Sequence, residues 1–440
     1  MKKTTMGFAL LSSAFASSLA LAQDKPSELF DWVGIIGTGQ SLSVGAWFLG
    51  PINEGPSYNN LKLFDPSGSY SEVTPDLKTL PLTEPLRSFG EYGTYPKNIL
   101  GASHHHSMAD VITRLSMKFK NKDYVTAHTE VGLSGTGYEG IKKGGNGNSY
   151  NPALFEAKAF SELAKAQGKR YGVGAILLTH GENDWKNPLY KEQMAQMQAD
   201  YDQDLKAITG QSNTIPLFTS QQHAYPCAIN LPDGVAQKDY STQKQWHVGN
   251  DYPGRVYTVG PKYQYEYRDT IHLTVAGYDA FGEKAGEVYY RTMELGEDWH
   301  PLKPVTIKRM GEHSLRVNFY VPNPPLRWDE KMEAPHQTAN QEWKEGKGFE
   351  VMKADGSKIV IKAVTIASEI NAVDIEIEGN ATDAMRVQYA MTMDGKIVAG
   401  TNDWGCYGGS PLGQRGLLMD SDDLINQANY SVSFSKAVEN

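Results

Sequence analysis

The stretch GIIGTGQSLSVG, residues 34–45, runs from a short β-branched segment into a glycine-rich turn, with Ser41 just past it. A strand that empties into such a turn opens a strand-turn-helix unit, and the chain downstream repeats the alternation. YVTAHTEVG (124–132), GAILLTH (174–180), TIPLFTS (214–220) and RVYTVGP (255–261) read as further strands. Apolar residues at helical spacing lie between and after them, over about 108–120, 154–168, 189–208 and 275–293. GAILLTH is a continuous apolar run, as a strand covered on both faces requires. Strands separated by helices predict a parallel, doubly wound sheet in a flavodoxin-like three-layer α/β/α arrangement.

Beyond Pro301 the texture changes. VTIKRMG, SLRVNFYVP, KGFEVMKADGSKIVIKAVTIA, AVDIEIEG, AMRVQYAM and YSVSFSK are short alternating segments with turn signals between them. That pattern predicts a C-terminal antiparallel β-sandwich. The HPLKP segment, 300–304, marks the expected boundary, with an α/β domain over 23–299 and an accessory or substrate-binding domain over 300–440. Residues 48–100 and 222–252 carry little periodicity and read as long loops.

The N-terminus has the order of a secretory signal. Lys2 and Lys3 precede a mostly apolar or small stretch from Gly7 to Leu21, and Ala20-Leu21-Ala22 supplies a small-x-small cleavage pattern. The expectation is a signal peptide over 1–22 and export to a periplasm or the exterior, without a membrane span. The formal charge of -9 lacks a basic stripe, which excludes ordinary nucleic-acid binding. The two cysteines, Cys227 and Cys406, could pair in an oxidising compartment or remain free buried thiols; sequence does not separate these.

The Ser41 turn is not a phosphate cradle. A dinucleotide fingerprint wants glycine where Leu42 stands, and the P-loop GK[ST] is missing. Nor does Ser41 have the G-x-S-x-G context of a nucleophile elbow. Ligands of open parallel sheets bind beyond the carboxyl ends of the strands, so the residues after each strand carry the chemistry. There the chain places Ser41, at an expected helix start, then GLSGTGY with Gly135 at its centre. HGENDW follows with Asn183 at its tip, and YRDTIHLT holds Asp269 and His272. A neutral serine needs an imidazole to take its proton, and the imidazole needs a carboxylate to hold its tautomer. The tetrahedral oxyanion needs preorganised N–H donors, which a close backbone glycine and an asparagine amide can supply.

These four segments resemble, in order, the blocks of the SGNH (GDSL-like) hydrolase superfamily, which contribute Ser, Gly, Asn and His. Gly-Gln-Ser stands where the common form is Gly-Asp-Ser, as in the carbohydrate acetylesterase and sialate O-acetylesterase branches. The resemblance covers about residues 33–290. It implies a cofactor-free serine esterase with Ser41, His272 and Asp269 in the triad and Ser41, Gly135 and Asn183 at the oxyanion hole. Gly132 and Gly137 are the alternative glycine donors. An O-acylated carbohydrate is the implied substrate; a short-chain ester, lipid or polyester is the alternative, as is a non-catalytic glycan-binding role.

Several further residues are candidates for the substrate site: Gln40, His180, and the loop tryptophans Trp47, Trp185 and Trp246, whose rings suit sugar stacking. The Gly-rich segment 400–422, with Trp404, Cys406, Tyr407 and Arg415, either folds over the rim or forms a long sandwich loop. His104-His105-His106 reads as a helix-start loop of solvated imidazoles rather than a metal site, because adjacent histidines point apart.

Overall fold

A computed structural model describes residues 24–45, 53, 55–64, 73–86, 101–147, 149–223, 240–269, 271–332, 345–391, 414–421 and 424–439. The expected signal peptide, Trp47, Cys227, Trp404, Cys406 and Tyr407 lie outside these residues.

The first half of the chain builds one seven-stranded sheet. Its strands are β1 (Trp32–Gly39), β2 (Leu61–Phe64), β3 (Lys78–Pro81), β4 (Thr126–Glu130), β5 (Tyr171–Thr179), β6 (Leu217–Gln221) and β7 (Val256–Pro261). The spatial order is β3-β2-β4-β1-β5-β6-β7, with every neighbour parallel except the β2–β3 pair. Without that edge hairpin, the order β4-β1-β5-β6-β7 is the flavodoxin-like 2-1-3-4-5, whose direction of winding reverses between β1 and β5. The hairpin comes from the region read as a loop in the sequence; strands of four residues are too short to show a period.

Helices cover both faces. Before, between and after the strands run α1 (Pro26–Leu29), α2 (His104–Lys120), α3 (Tyr138–Ile141), α4 (Tyr150–Ala166), α5 (Tyr190–Thr209), α6 (Ser241–Asp251) and α7 (Val275–Tyr289). On one face Phe160 of α4, Met194 and Leu205 of α5 and Val248 of α6 pack on Ile36, Ile176, Leu178 and Leu217 of the sheet. On the other, Met108 and Ile112 of α2 and Val288 and Tyr289 of α7 pack on Val33, Ile35, Leu177 and Phe218. Residues one apart along β1 and β5 therefore serve opposite layers, which is why both strands are apolar throughout. Helix α6 occupies part of the segment read as a loop. Only Trp246 and Val248 of its large apolar residues are buried, and they face different neighbours, so no single stripe marks it.

The second half is a β-sandwich. Its strands are β8 (Lys303–Gly311), β9 (Ser314–Tyr320), β10 (Arg327–Trp328), β11 (Phe349–Met352), β12 (Lys358–Ile359), β13 (Ile361–Ala367), β14 (Ala372–Ile377), β15 (Arg386–Tyr389), β16 (Leu418–Met419) and β17 (Phe434–Ala437). Sheets β13-β14-β9-β8 and β12-β11-β15-β17 are each antiparallel, and β10 pairs with β16. Leu315, Val317, Val373 and Ile375 of one sheet share a core with Phe349, Val351, Val387 and Phe434 of the other.

The two halves are joined by buried polar bonds. The Gln221 amide, at the end of β6, donates to the Ser433 carbonyl (2.9 Å) and accepts from the Ser433 N–H (2.8 Å). Tyr263 donates its hydroxyl to the Ser431 carbonyl at 2.7 Å. Trp246 is buried against Phe434 and shares the sandwich core, so it is an interface residue and not the rim tryptophan expected from sequence.

Candidate active site

The carboxyl ends of β1, β4, β5 and β7 deliver the candidate residues. β1 ends at Gly39, where a Cβ would lie 2.0 Å from the Thr179 carbonyl, so only glycine lets the chain turn away there. Residues 41–45 form successive turns, closed by the Ser43 N–H on the Gln40 carbonyl at 2.8 Å. Ser41 is thus held on a tight turn and not at the helix start that the sequence suggests.

Ser41 Oγ lies 2.8 Å from His272 Nε2, and His272 Nδ1 lies 2.9 Å from Asp269 Oδ2. The other carboxylate oxygen, Oδ1, accepts from the Ile271 and His272 backbone N–H groups, both at 2.7 Å. Asp269 therefore turns its own loop and orients the imidazole at once. Burial pushes its carboxyl up, but the bonds from the His272 ring and from the two backbone N–H groups outweigh it and hold the group below the usual aspartate value. With Nδ1–H donated to Asp269, Nε2 is left as an acceptor for the serine hydroxyl.

The residues next to these explain why they meet. Leu42, beside Ser41, and Leu273, beside His272, are buried in one cluster with Tyr265, Tyr267, Tyr278 and Phe281. Thr274 caps α7, accepting from the Gly277 N–H at 3.1 Å. The His-Leu-Thr run thus sets a ring, a packing anchor and a helix cap in consecutive positions.

The GEND turn is similarly divided. Gly181 has φ +119°, a backbone conformation that favours glycine, and a Cβ there would lie 2.8 Å from Gln245 Nε2. Glu182 is buried and ion-paired to buried Lys262 at 2.5 Å. Asn183 is exposed; its amide donates one N–H to the Gly135 carbonyl at 3.3 Å, and its second N–H is available for another acceptor. Asp184 accepts from the Tyr138 N–H at 2.6 Å at the start of α3.

Of the three candidate glycines, Gly132 has its N–H engaged by Glu130 Oε1 at 2.5 Å, and Gly137 precedes α3 as its cap residue. Gly135 has φ +68° with open space around it, beside Asn183. Gln40 is buried, and its side-chain oxygen accepts from the Asn183 N–H at 3.2 Å, so it ties the serine turn to the asparagine turn. His180 is also buried, with Nδ1 on the Tyr190 hydroxyl (2.8 Å) and Nε2 on the Thr136 carbonyl (2.9 Å). Nε2 thus holds the Gly135 loop and Nδ1 the start of α5, which leaves neither ring nitrogen to contact a substrate. Trp185 is half-buried, edge-on to Tyr240.

His104, His105 and His106 are buried in the first turn of α2, not solvated as the sequence suggests. Among the described residues no group of His, Cys, Asp or Glu is arranged to hold a metal, and no helix is long and apolar enough to cross a membrane. From the 400–422 segment, Gln414 and Arg415 reach the carboxyl end of β6, where His223 is hydrogen-bonded to the Gln414 backbone. Burial first, then the Arg415 charge, push that imidazole down. Sequence reasoning missed the Glu182–Lys262 pair and Glu130. Charged residues inside strands or turns otherwise apolar were the available signal.

No family model and no curated protein sequence matches the chain. Among solved structures, a carbohydrate acetylesterase from Xanthomonas citri superposes with TM-score 0.54 at 12% identity, over 92% of this chain and 80% of its own. A protein of Arabidopsis thaliana aligns with TM-score 0.43 at 14% identity, over 60% of this chain and 99% of its own. A carbohydrate acetylesterase from Sinorhizobium meliloti aligns with TM-score 0.31 at 11% identity, over 58% of this chain and 97% of its own. The sheet order and the match over both halves lead to one conclusion: this chain has a flavodoxin-like three-layer α/β/α fold followed by a β-sandwich, similar to the fold of the Xanthomonas citri structure.

Proposed function

We propose that the chain is an exported serine esterase that removes O-acetyl groups from a carbohydrate. The observation that carries the reading is the unbroken chain from Ser41 Oγ through His272 to Asp269, with both links within 2.9 Å. His272 Nε2 takes the Ser41 proton as Oγ attacks the ester carbonyl carbon. The oxyanion is held by the backbone N–H groups of Ser41 and Gly135 and by the free N–H of the Asn183 amide. The proton then passes from His272 to the departing sugar oxygen, leaving acetyl-Ser41. Water, deprotonated by His272, attacks this ester, and acetate leaves as Oγ regains its proton.

The substrate class is supported by the Gly-Gln-Ser turn, by the signal-like N-terminus, whose cleavage after Ala22 is part of the proposal, and by the acetylesterase name of the Xanthomonas citri structure. The domain division at 299/300 belongs to the same proposal.

The test compares wild type with Ser41→Ala for p-nitrophenyl acetate turnover and for acetate release from a panel of acetylated glycans. Loss of the nucleophile is expected to lower kcat by about 10⁴-fold or more. Equal rates in the two proteins would remove the esterase reading. Retained activity on long-chain p-nitrophenyl esters, with none on glycans, would replace the substrate class by general ester hydrolysis.

A further inference from the structure

A second carboxylate-imidazole pair lies buried where the serine turn meets the glycine loop. Glu130, the last residue of β4, is fully buried. Its Oε1 accepts from the Gly132 N–H at 2.5 Å and lies 3.1 Å from Ser43 Oγ, while Oε2 lies 3.2 Å from His105 Nε2. Ser43 closes the turn that carries Ser41, and Gly132 opens the loop that carries Gly135. One carboxylate thus touches both segments that supply the candidate nucleophile and oxyanion donors.

The sequence makes room for it. A Cβ at Gly37 would lie 2.2 Å from Glu130 Oε2 and 2.3 Å from His105 Nε2. One at Gly132 would lie 2.0 Å from Ser43 Oγ and 2.7 Å from Glu130 Oε1. Neither glycine can gain a side chain without displacing the pair.

Hydrogen-bond directions fix the protons. The Asn60 oxygen accepts from the Thr126 N–H and hydroxyl, both at 2.7 Å, so Thr126 Oγ1 must accept from His128 Nε2–H at 2.8 Å. Burial, then the neighbouring histidines, push the His128 imidazole well down, so it is neutral and its Nδ1 is an acceptor. His105 Nδ1, 2.9 Å away, must donate to it. A neutral His105 would then face the carboxylate with a lone pair. The network closes only when one additional proton sits between His105 Nε2 and Glu130 Oε2.

We infer that Glu130, sharing a proton with His105, is a positioning residue that locks the Ser41 turn to the Gly135 loop and so sets the distance from nucleophile to oxyanion donors. This inference rests on the esterase reading above. Because the bridge places reacting groups and touches no substrate, its loss should fall on kcat and leave KM in place.

The experiment measures kcat, KM and Tm on p-nitrophenyl acetate for Glu130→Ala, Glu130→Gln, Ser43→Ala and the Glu130→Ala/Ser43→Ala double variant, with Ser41→Ala in parallel. A misplacement of about 1 Å can cost about 10²-fold. Accordingly, Glu130→Ala is expected to lose about 10- to 100-fold in kcat with KM within about twofold. Glutamine donates an N–H to a neutral His105 and still accepts from Gly132, so Glu130→Gln is expected within about threefold of wild type. Ser43→Ala should lose less than Glu130→Ala, and the double variant no more than Glu130→Ala alone, because both act through one bridge.

Wild-type kcat in Glu130→Ala, equal losses in the alanine and glutamine variants, or multiplicative losses in the double variant would each overturn the inference. If Glu130→Ala does not fold, Ser43→Ala decides, and wild-type kcat there overturns it. Undiminished turnover in Ser41→Ala would instead mean that the esterase reading itself has failed.

Discussion

Asp269 does two jobs with two oxygens, and they can be separated. Oδ2 orients His272, while Oδ1 closes the loop on the backbone. Asp269→Asn keeps the shape but offers an amide where the proposed reaction needs a carboxylate to stabilise the imidazolium, and kcat should fall by about 10²–10⁴. Stability should follow pH in a defined direction. The folded-state carboxyl titrates below its unfolded value, so its contribution is present above about pH 4 and is lost as pH falls through the folded value. The Tm gap between wild type and Asp269→Asn should therefore close on acidification below about pH 4, which a calorimetric pH series would read. At this scale Ser41, Asp269, His272 and Asn183 were legible because each follows a strand in a short, distinctive string. Glu130 and His105 were not, because their meaning lies in each other: 25 residues separate them, and only the fold brings the two side chains together.

Between the residue and the fold stands the cluster that spaces the two halves of the serine-histidine link. Leu273 is 2% exposed and packs with Leu42 across the site. Truncation to alanine should cost about 2–5 kcal/mol of stability by lost burial and cavity formation. Below its lowered Tm, Leu273→Ala should also show a reduced kcat, since the spacing of Ser41 and His272 depends on that contact. Urea titration with parallel kinetics would check both. β1, β5 and the helices of 17 residues or more were readable as elements, because a buried strand is apolar throughout and a long helix repeats its stripe. The β2–β3 hairpin and α6 were not: one is too short for a period, and the other divides its apolar side chains between two cores.

Over the whole molecule, the sandwich is fastened to the sheet end that also bears His223. Gln221→Ala would remove both bonds to the Ser433 backbone and leave a buried N–H without its acceptor, at an expected cost of about 1–3 kcal/mol. The Tm should fall while kcat at 25 °C stays near wild type, an outcome that scanning calorimetry and an esterase assay would together verify. The alternation of strand and helix, the sandwich texture after Pro301 and the order of the four segments were determined by sequence alone, because hydrophobic periodicity and turn residues act within about ten positions. The edge hairpin, the burial of the α2 histidines, the use of Gln40 and His180 as ties between loops and the contact between Glu130 and His105 were decided only by tertiary structure. Each depends on groups that approach from distant elements, where burial turns an ordinary polar side chain into one that must find a partner.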